Sequence, residues 1–232
     1  MEFIWEVLGD ALDLLGAFGS ELREVIGLTL LVAGIATAIG LAIGVPLGIA
    51  LAAGRFRGRG LLTVLVNTGM GMPPVLAGLL LLLLLWNHGP LGAWGLLFTP
   101  AAMIAAQALL AIPIAAGVTS GAVRALAPES FEQVRALRLG PLTRGAVLGR
   151  EAWPGLMAAA AAAFGRVVSE VGAVLVVGGN IEGETRVLTT AIVQESRQAD
   201  FGAALALGIV LLLIALSVNG VLTWFQLRDP SR

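Results

Sequence analysis

The stretch Leu126–Pro154, LAPESFEQVRALRLGPLTRGAVLGREAWP, is the one long polar interruption in an otherwise lipid-like chain. It carries Arg135, Arg138, Arg144 and Arg150 together with Glu129, Glu132 and Glu151, while the sequence on both sides is nearly free of charge. Gly140-Pro141 sits between two short helix-like runs, so the stretch reads as a helix-turn-helix held in water between two membrane spans. Such a segment is expected to serve as a handle for a partner, with Arg138, Gly140 and Pro141 at its turn.

Outward from it, hydrophobicity dominates. The chain is 58% hydrophobic and 12% charged, with a mean hydropathy of +0.94, against about a quarter charged in soluble domains. An integral membrane protein follows. At about 20 apolar residues per span, the 232 residues hold about five spans in a single transmembrane domain, all-α, with no separate soluble domain.

Several chemistries are excluded at once. There is no cysteine, so neither disulfide nor thiolate metal site is available, and His88 is the only histidine. All 14 basic residues are arginine. A phosphate-binding P-loop needs its lysine, so no ordinary nucleotide site fits in this chain. It is expected to be no enzyme and to bind no cofactor; if ATP drives it, a separate subunit hydrolyses the ATP.

Residues 1–20 read as an amphipathic helix lying in the membrane interface, acidic on its polar face and retained rather than cleaved. Spans are expected at Val25–Ala53, Leu61–Trp86, Phe98–Val118, Leu156–Val177 and Phe201–Phe225, with a short interfacial helix from Val187 to Glu195. Arg55, Arg57, Arg59, Arg124, Arg228 and the arginines of residues 125–155 fall on one side, and Arg23, Arg186 and Arg197 on the other. By the positive-inside bias the N-terminus lies outside, and the 125–155 loop and the C-terminus lie in the cytoplasm.

Three groups of residues could carry mechanism. Pro73-Pro74 must kink the second span, which lipid tolerates only where protein or a water path covers the freed carbonyls; with Met72 they are candidates to line the substrate path. Gly178, Gly179, Asn180, Thr189 and Thr190, with Ser169, are further candidates, because backbone N–H groups and hydroxyls suit an oxyanion; the same residues also make an ordinary glycine turn and a capped helix. Arg166 and Glu170, four apart in the fourth expected span, would share a helical face and could pair there.

At these residues the chain resembles the membrane permease subunits of bacterial ABC importers, of the tungstate, molybdate and sulfate group and in particular its tungstate branch. Val134-Arg135-Ala136 followed by Gly140 resembles a degenerate EAA loop, the superfamily's ATPase-docking element. FGRVVSEVGAVLVVGGNI (Phe164–Ile181), GETRVLTTAI (Gly183–Ile192), NTGMGMPPVLAGL (Asn67–Leu79) and LFTPAAMIAAQ (Leu97–Gln107) resemble the oxyanion group. The resemblance implies a type I importer permease in the bacterial plasma (inner) membrane, working as a homodimer. Cytoplasmic ABC ATPase subunits would use the ATP, and an external solute-binding protein would deliver tungstate. A permease for molybdate, sulfate or another solute is the alternative, and a carrier driven by an ion gradient without an ATPase is a third.

Overall fold

The structure is a computed structural model, and it describes residues 2–17, 19–137 and 139–228. Among these residues there are eleven α-helices, one 3-10 turn at Gly92–Trp94 and no strand. In chain order the helices are α1 (Glu2–Ala17), α2 (Ser20–Ala53), α3 (Arg59–Met70), α4 (Pro74–Leu85), α5 (Pro100–Arg124) and α6 (Pro128–Ala136). They continue with α7 (Pro141–Glu151), α8 (Trp153–Val168), α9 (Gly172–Gly178), α10 (Leu188–Arg197) and α11 (Phe201–Leu227).

Three of them, α2, α5 and α11, are each long and apolar enough to cross a membrane. The interrupted pairs α3 with α4 and α8 with α9 raise the number to five if each pair counts as one span. The described residues thus form an all-α membrane protein with three to five candidate spans, against about five expected. Large apolar side chains that point outward, such as Leu76, Leu80 and Leu83 of α4 and Leu212, Leu213 and Leu216 of α11, are suited to lipid contact rather than to a core.

The two interruptions have different origins. Pro73 and Pro74 lack N–H groups and disfavour helix before them, so α3 closes with Gly71 and Met72 N–H on the carbonyls of Thr68 and Gly69. Pro73 then caps α4 and Pro74 opens it. The expected kink is a full break. The second break corrects the sequence reading, in which Leu156–Val177 is one continuous span. α8 stops at Val168, and Glu170 lies beyond its end. The Glu170 Oε1 accepts from the N–H of Gly172 at 2.8 Å and of Ala173 at 3.4 Å, so its carboxylate caps the start of α9.

The chain divides into two compact units. The first takes the chain up to Ile35, then Pro73–Gln107 and Val168–Ser217. Its helices pack through glycine: a Cβ on Gly78 would lie 2.9 Å from Ala173 Cα, and one on Gly178 would lie 2.9 Å from Met103 Cγ. Leu188, Ala191 and Leu207 form a buried cluster with Val25, Ile26 and Val210 around it. Thr29 Oγ1 adds a polar tie, donating to Val25 O at 2.7 Å and accepting from Leu188 N at 3.0 Å.

The second unit takes Ala36–Met72, Ala108–Val167 and the chain from Val218 onward. Here α2 crosses α5 at very short range. A Cβ on Gly40 would come within 2.5 Å of Ala111 Cβ, and one on Gly44 within 2.6 Å of Ala115 Cβ. Small residues at this four-residue spacing bring two backbones together where dispersion and backbone contacts, not water exclusion, must hold helices. Leu51, Val66 and Ala116 extend the contact to α3.

Candidate functional site

The polar stretch of the sequence folds as the hairpin α6–α7 of the second unit. Val123, Val134, Leu148 and Ala152 form its buried core, packed against Ile49, Ala52 and Ala53 of α2 and Phe131 of α6. Ser130 Oγ donates to the Glu151 carboxylate, tying α6 to α7. The hairpin is therefore a packed body seated on the end of α2.

Its sequence-expected contact residues separate into different roles. Val134 is buried at 3% exposure and belongs to the hairpin core, which corrects its reading as a surface contact. Ala136 and Gly140 are exposed. Arg135 lies in α6 and Pro141 opens α7, while Arg138 lies outside the described residues. Gly140 has φ −61° and ψ 160°, an extended conformation open to any residue, and a Cβ there would meet nothing within 4 Å. Among the described residues, nothing requires the glycine. Leu142 at 88% and Leu137 at 66% exposure flank it; as apolar residues they drew no attention in a stretch noted for its charges.

A second feature of this unit was missed because its parts lie far apart in sequence. An α-helix leaves its last four carbonyls without partners. At the end of α2 the Ala50 carbonyl accepts from Gly54 N–H at 2.8 Å. The other three accept from guanidinium groups. Arg59 Nε donates to Leu51 O at 2.9 Å and its Nη2 to Ala52 O at 3.4 Å. Arg124 Nη2 donates to Leu51 O at 3.3 Å, and Arg144 Nη2 to Ala53 O at 3.2 Å. Arginines from α3, α5 and α7 thus converge on the negative end of the α2 dipole. The only sequence signal was the arginine enrichment beyond Ala53.

In the first unit, three of the expected substrate-path positions come together. A Cβ on Gly172 would lie 2.7 Å from Val75 Cγ2 and 3.5 Å from Glu170 Oε1, which sets the start of α9 beside the start of α4, where Pro73 and Pro74 lie. Thr189 Oγ1 donates to Glu170 O at 3.0 Å, bringing α10 to the same break. Ser169 is exposed at its edge. Met72 precedes Pro73 in the chain and is half-buried. The N–H groups at the start of α9 already serve a carboxylate, so they are not open to an anionic cargo.

Gly178, Gly179 and Asn180 form a separate group at the other end of α9, about 10 Å away along its seven residues, while Thr190 belongs to the cap of α10. Gly179 at φ +75° and Asn180 at φ +55° make a left-handed turn. Thr185 Oγ1 donates to Gly178 O at 2.6 Å and accepts from Ile181 N at 2.9 Å. The Asn180 amide donates to the Gln194 side chain. Thr190 Oγ1 donates to Val187 O at 3.0 Å and accepts from Val187 N at 3.1 Å. Thr185, Thr189 and Thr190 are all buried, and their hydroxyls are used by the backbone. The geometry matches the glycine turn and capped helix rather than an open anion nest. Arg166 lies half-buried in the last turn of α8, and since the helix ends before Glu170, the two do not share a helical face.

A family model described as the inner membrane component of binding-protein-dependent transport systems matches residues 44–228, which include both breaks and the whole α6–α7 hairpin. The chain belongs to that family. This inner membrane component is 41% identical over 221 residues to a probable anion ABC transporter permease protein of Haloferax volcanii, covering 91% of this chain and 95% of that one. It is 39% identical over 226 residues to the tungstate uptake system permease protein TupB of Peptoclostridium acidaminophilum, covering 97% and 99%. In fold it is similar to a chain of the inward-facing MetNI methionine ABC transporter, with a TM-score of 0.72, 19% identity, and coverage of 89% and 94%.

Proposed function

We propose that this chain is the membrane permease subunit of an ATP-driven importer whose cargo is an oxyanion, with tungstate as the substrate. The observation that carries the reading is the near full-length similarity to a tungstate uptake permease, 39% identity over 97% of the chain, in a chain that contains no lysine for a nucleotide site. ATP hydrolysis then belongs to cytoplasmic ABC ATPase subunits, and this subunit is not itself an enzyme and carries no cofactor. The exposed turn of the α6–α7 hairpin, with Leu137, Gly140 and Leu142, is their docking point: apolar tips around a glycine with no internal requirement fit an outside contact.

The pore is formed by two copies of the chain within the bacterial inner membrane, and an external solute-binding protein brings the cargo. The described arginines divide unevenly between the units: Arg23, Arg186 and Arg197 lie in the first, and Arg55, Arg57, Arg59, Arg124, Arg135, Arg144, Arg150, Arg166 and Arg228 in the second. By the positive-inside bias the segment from Arg55 to Arg59 and the α6–α7 hairpin face the cytoplasm, with the N-terminus outside and the C-terminus inside. The adjoining breaks near Pro74 and Glu170 are the place in the first unit where irregular backbone meets the substrate path, since membranes admit such backbone where it is covered by protein or lines a cavity.

The test is reconstitution of the chain with its ATPase and binding protein in proteoliposomes, with uptake of radiolabelled tungstate measured against unlabelled molybdate and sulfate. Uptake that requires ATP and is displaced first by tungstate supports the reading. Preference for molybdate or sulfate shifts the cargo within the same group, and uptake that survives ATP depletion without an ATPase overturns the class.

A further inference from the structure

We propose that Arg144 is a positioning residue that couples the α6–α7 hairpin to the first membrane span, by holding the last carbonyl of α2. This inference rests on the functional reading above, in which the hairpin receives the ATPase.

The argument begins with the inventory of acceptors at the end of α2. Of the three carbonyls capped by guanidinium groups, those of Leu51 and Ala52 are held by Arg59, which follows α2 closely in the chain, and Leu51 has a second donor in Arg124. Ala53 O has one donor from the hairpin, Arg144 Nη2 at 3.2 Å, across 91 residues of sequence. The three contacts are not equivalent. Arg59 and Arg124 join α2 to α3 and α5, helices of candidate spans, whereas Arg144 joins it to α7 of the polar hairpin.

The packing beneath Arg144 is apolar and includes the hairpin core of Val134 and Leu148 against Ile49, Ala52 and Ala53. Gly145 and Gly149 face Ile49, at 3.7 Å and 3.2 Å from where their Cβ atoms would be, so the interface between α7 and α2 there is small residues on a branched apolar side chain. Dispersion contacts of this kind are individually weak and not directional. A guanidinium on a helix-terminal carbonyl is directional and is strengthened by the α2 dipole. The hydrogen bond therefore converts a displacement of α7 into a pull on the end of α2. A cleft of about 520 Å³ beside it, lined by Ala53, Gly54, Arg55, Leu139 and Arg144, gives the side chain room to follow. Among the described residues the buried Arg144 Nε has no partner, and the side chain is held at its tip.

The test uses the full chain reconstituted with its ATPase and binding protein, and reads uptake per ATP hydrolysed, together with copurification of the ATPase. Arg144→Ala should still copurify with the ATPase, while uptake per ATP falls about fivefold or more, the usual scale of a coupling between two sites. Arg144→Lys, which keeps a donor and a charge at the helix end, should restore the ratio. Arg124→Ala should leave it near wild type, because Leu51 O keeps Arg59. If Arg144→Ala fails to accumulate in the membrane, Arg144→Met, which keeps bulk and has no N–H donor, carries the same comparison with Arg144→Lys. An unchanged ratio in the alanine or methionine variant overturns the proposal. Loss of ATPase copurification also overturns it, since Arg144 would then be a docking contact. If the wild-type complex takes up no oxyanion with ATP, the functional reading itself fails and this inference falls with it.

Discussion

The two units solve the same problem with opposite chemistry. Both contain backbone that cannot satisfy its own hydrogen bonds, and neither can rely on water within the apolar spans. In the first unit the broken backbone is held by neutral hydroxyls and one carboxylate: Thr29, Thr185, Thr189, Thr190 and Glu170 each bind backbone groups. In the second unit, guanidinium groups of Arg59, Arg124 and Arg144 hold the end of α2. Short polar side chains suit a buried break because they reach only local partners and bring little that needs hydration. Long arginines suit a helix end near water, since they span distant elements and keep part of the guanidinium solvated. The difference teaches that the first unit is built to hold irregular backbone still, while the second ties together elements that come from far apart in the chain.

The strongest way to break that contrast is to attack the packing on which the first unit's break depends. Gly78→Val would push a side chain into Ala173 backbone at the α4–α9 crossing. The expected loss is at the upper end of the roughly 1–3 kcal/mol typical of overpacking, read as a lowered thermal midpoint by intrinsic tryptophan fluorescence in detergent. A thermal midpoint equal to wild type would show that the crossing is loose and the break is held otherwise.

Next in size is removal of the carboxylate cap. Glu170→Ala leaves the N–H groups of Gly172 and Ala173 without an acceptor, and should cost about 2 kcal/mol, within the range for buried donors deprived of their partner. Glu170→Gln keeps an acceptor oxygen and should lose less. Equal losses in the same thermal assay would mean that charge, and not capping, is what the position needs.

The smallest expected effect on stability sharpens the other side of the comparison. Gly140→Leu should shift stability by no more than about 0.5 kcal/mol, as for surface positions free of special features, because a Cβ there meets nothing within 4 Å. The same variant should lose copurification of the ATPase. A variant that keeps the ATPase bound would remove the turn from the docking surface, and one that unfolds would show a structural demand at Gly140.

Much of this protein was legible in one dimension. The long apolar helices α2, α5 and α11, an interruption at Pro73-Pro74, the helix from Leu188 and the α6–α7 hairpin follow from hydropathy, proline chemistry and charge, which act over neighbouring residues. The division of arginines was equally plain, because it is a count along the chain. The rest required tertiary structure. The alanine-rich run before Arg166 reads as continuous helix, and only the fold shows the Glu170 side chain turning onto Gly172 and Ala173. Val134 and Leu142 are both apolar residues of one polar stretch; packing against Ile49 and Leu148 buries the first, and nothing covers the second. The hydroxyls near Asn180 offered an anion site by composition, but which acceptor a hydroxyl takes is decided by the backbone brought beside it. The grip of Arg124 and Arg144 on α2 spans 73 and 91 residues, and no periodicity in the sequence encodes a partnership at that range. Sequence sets which groups need a partner; only the folded chain decides which partner each one meets.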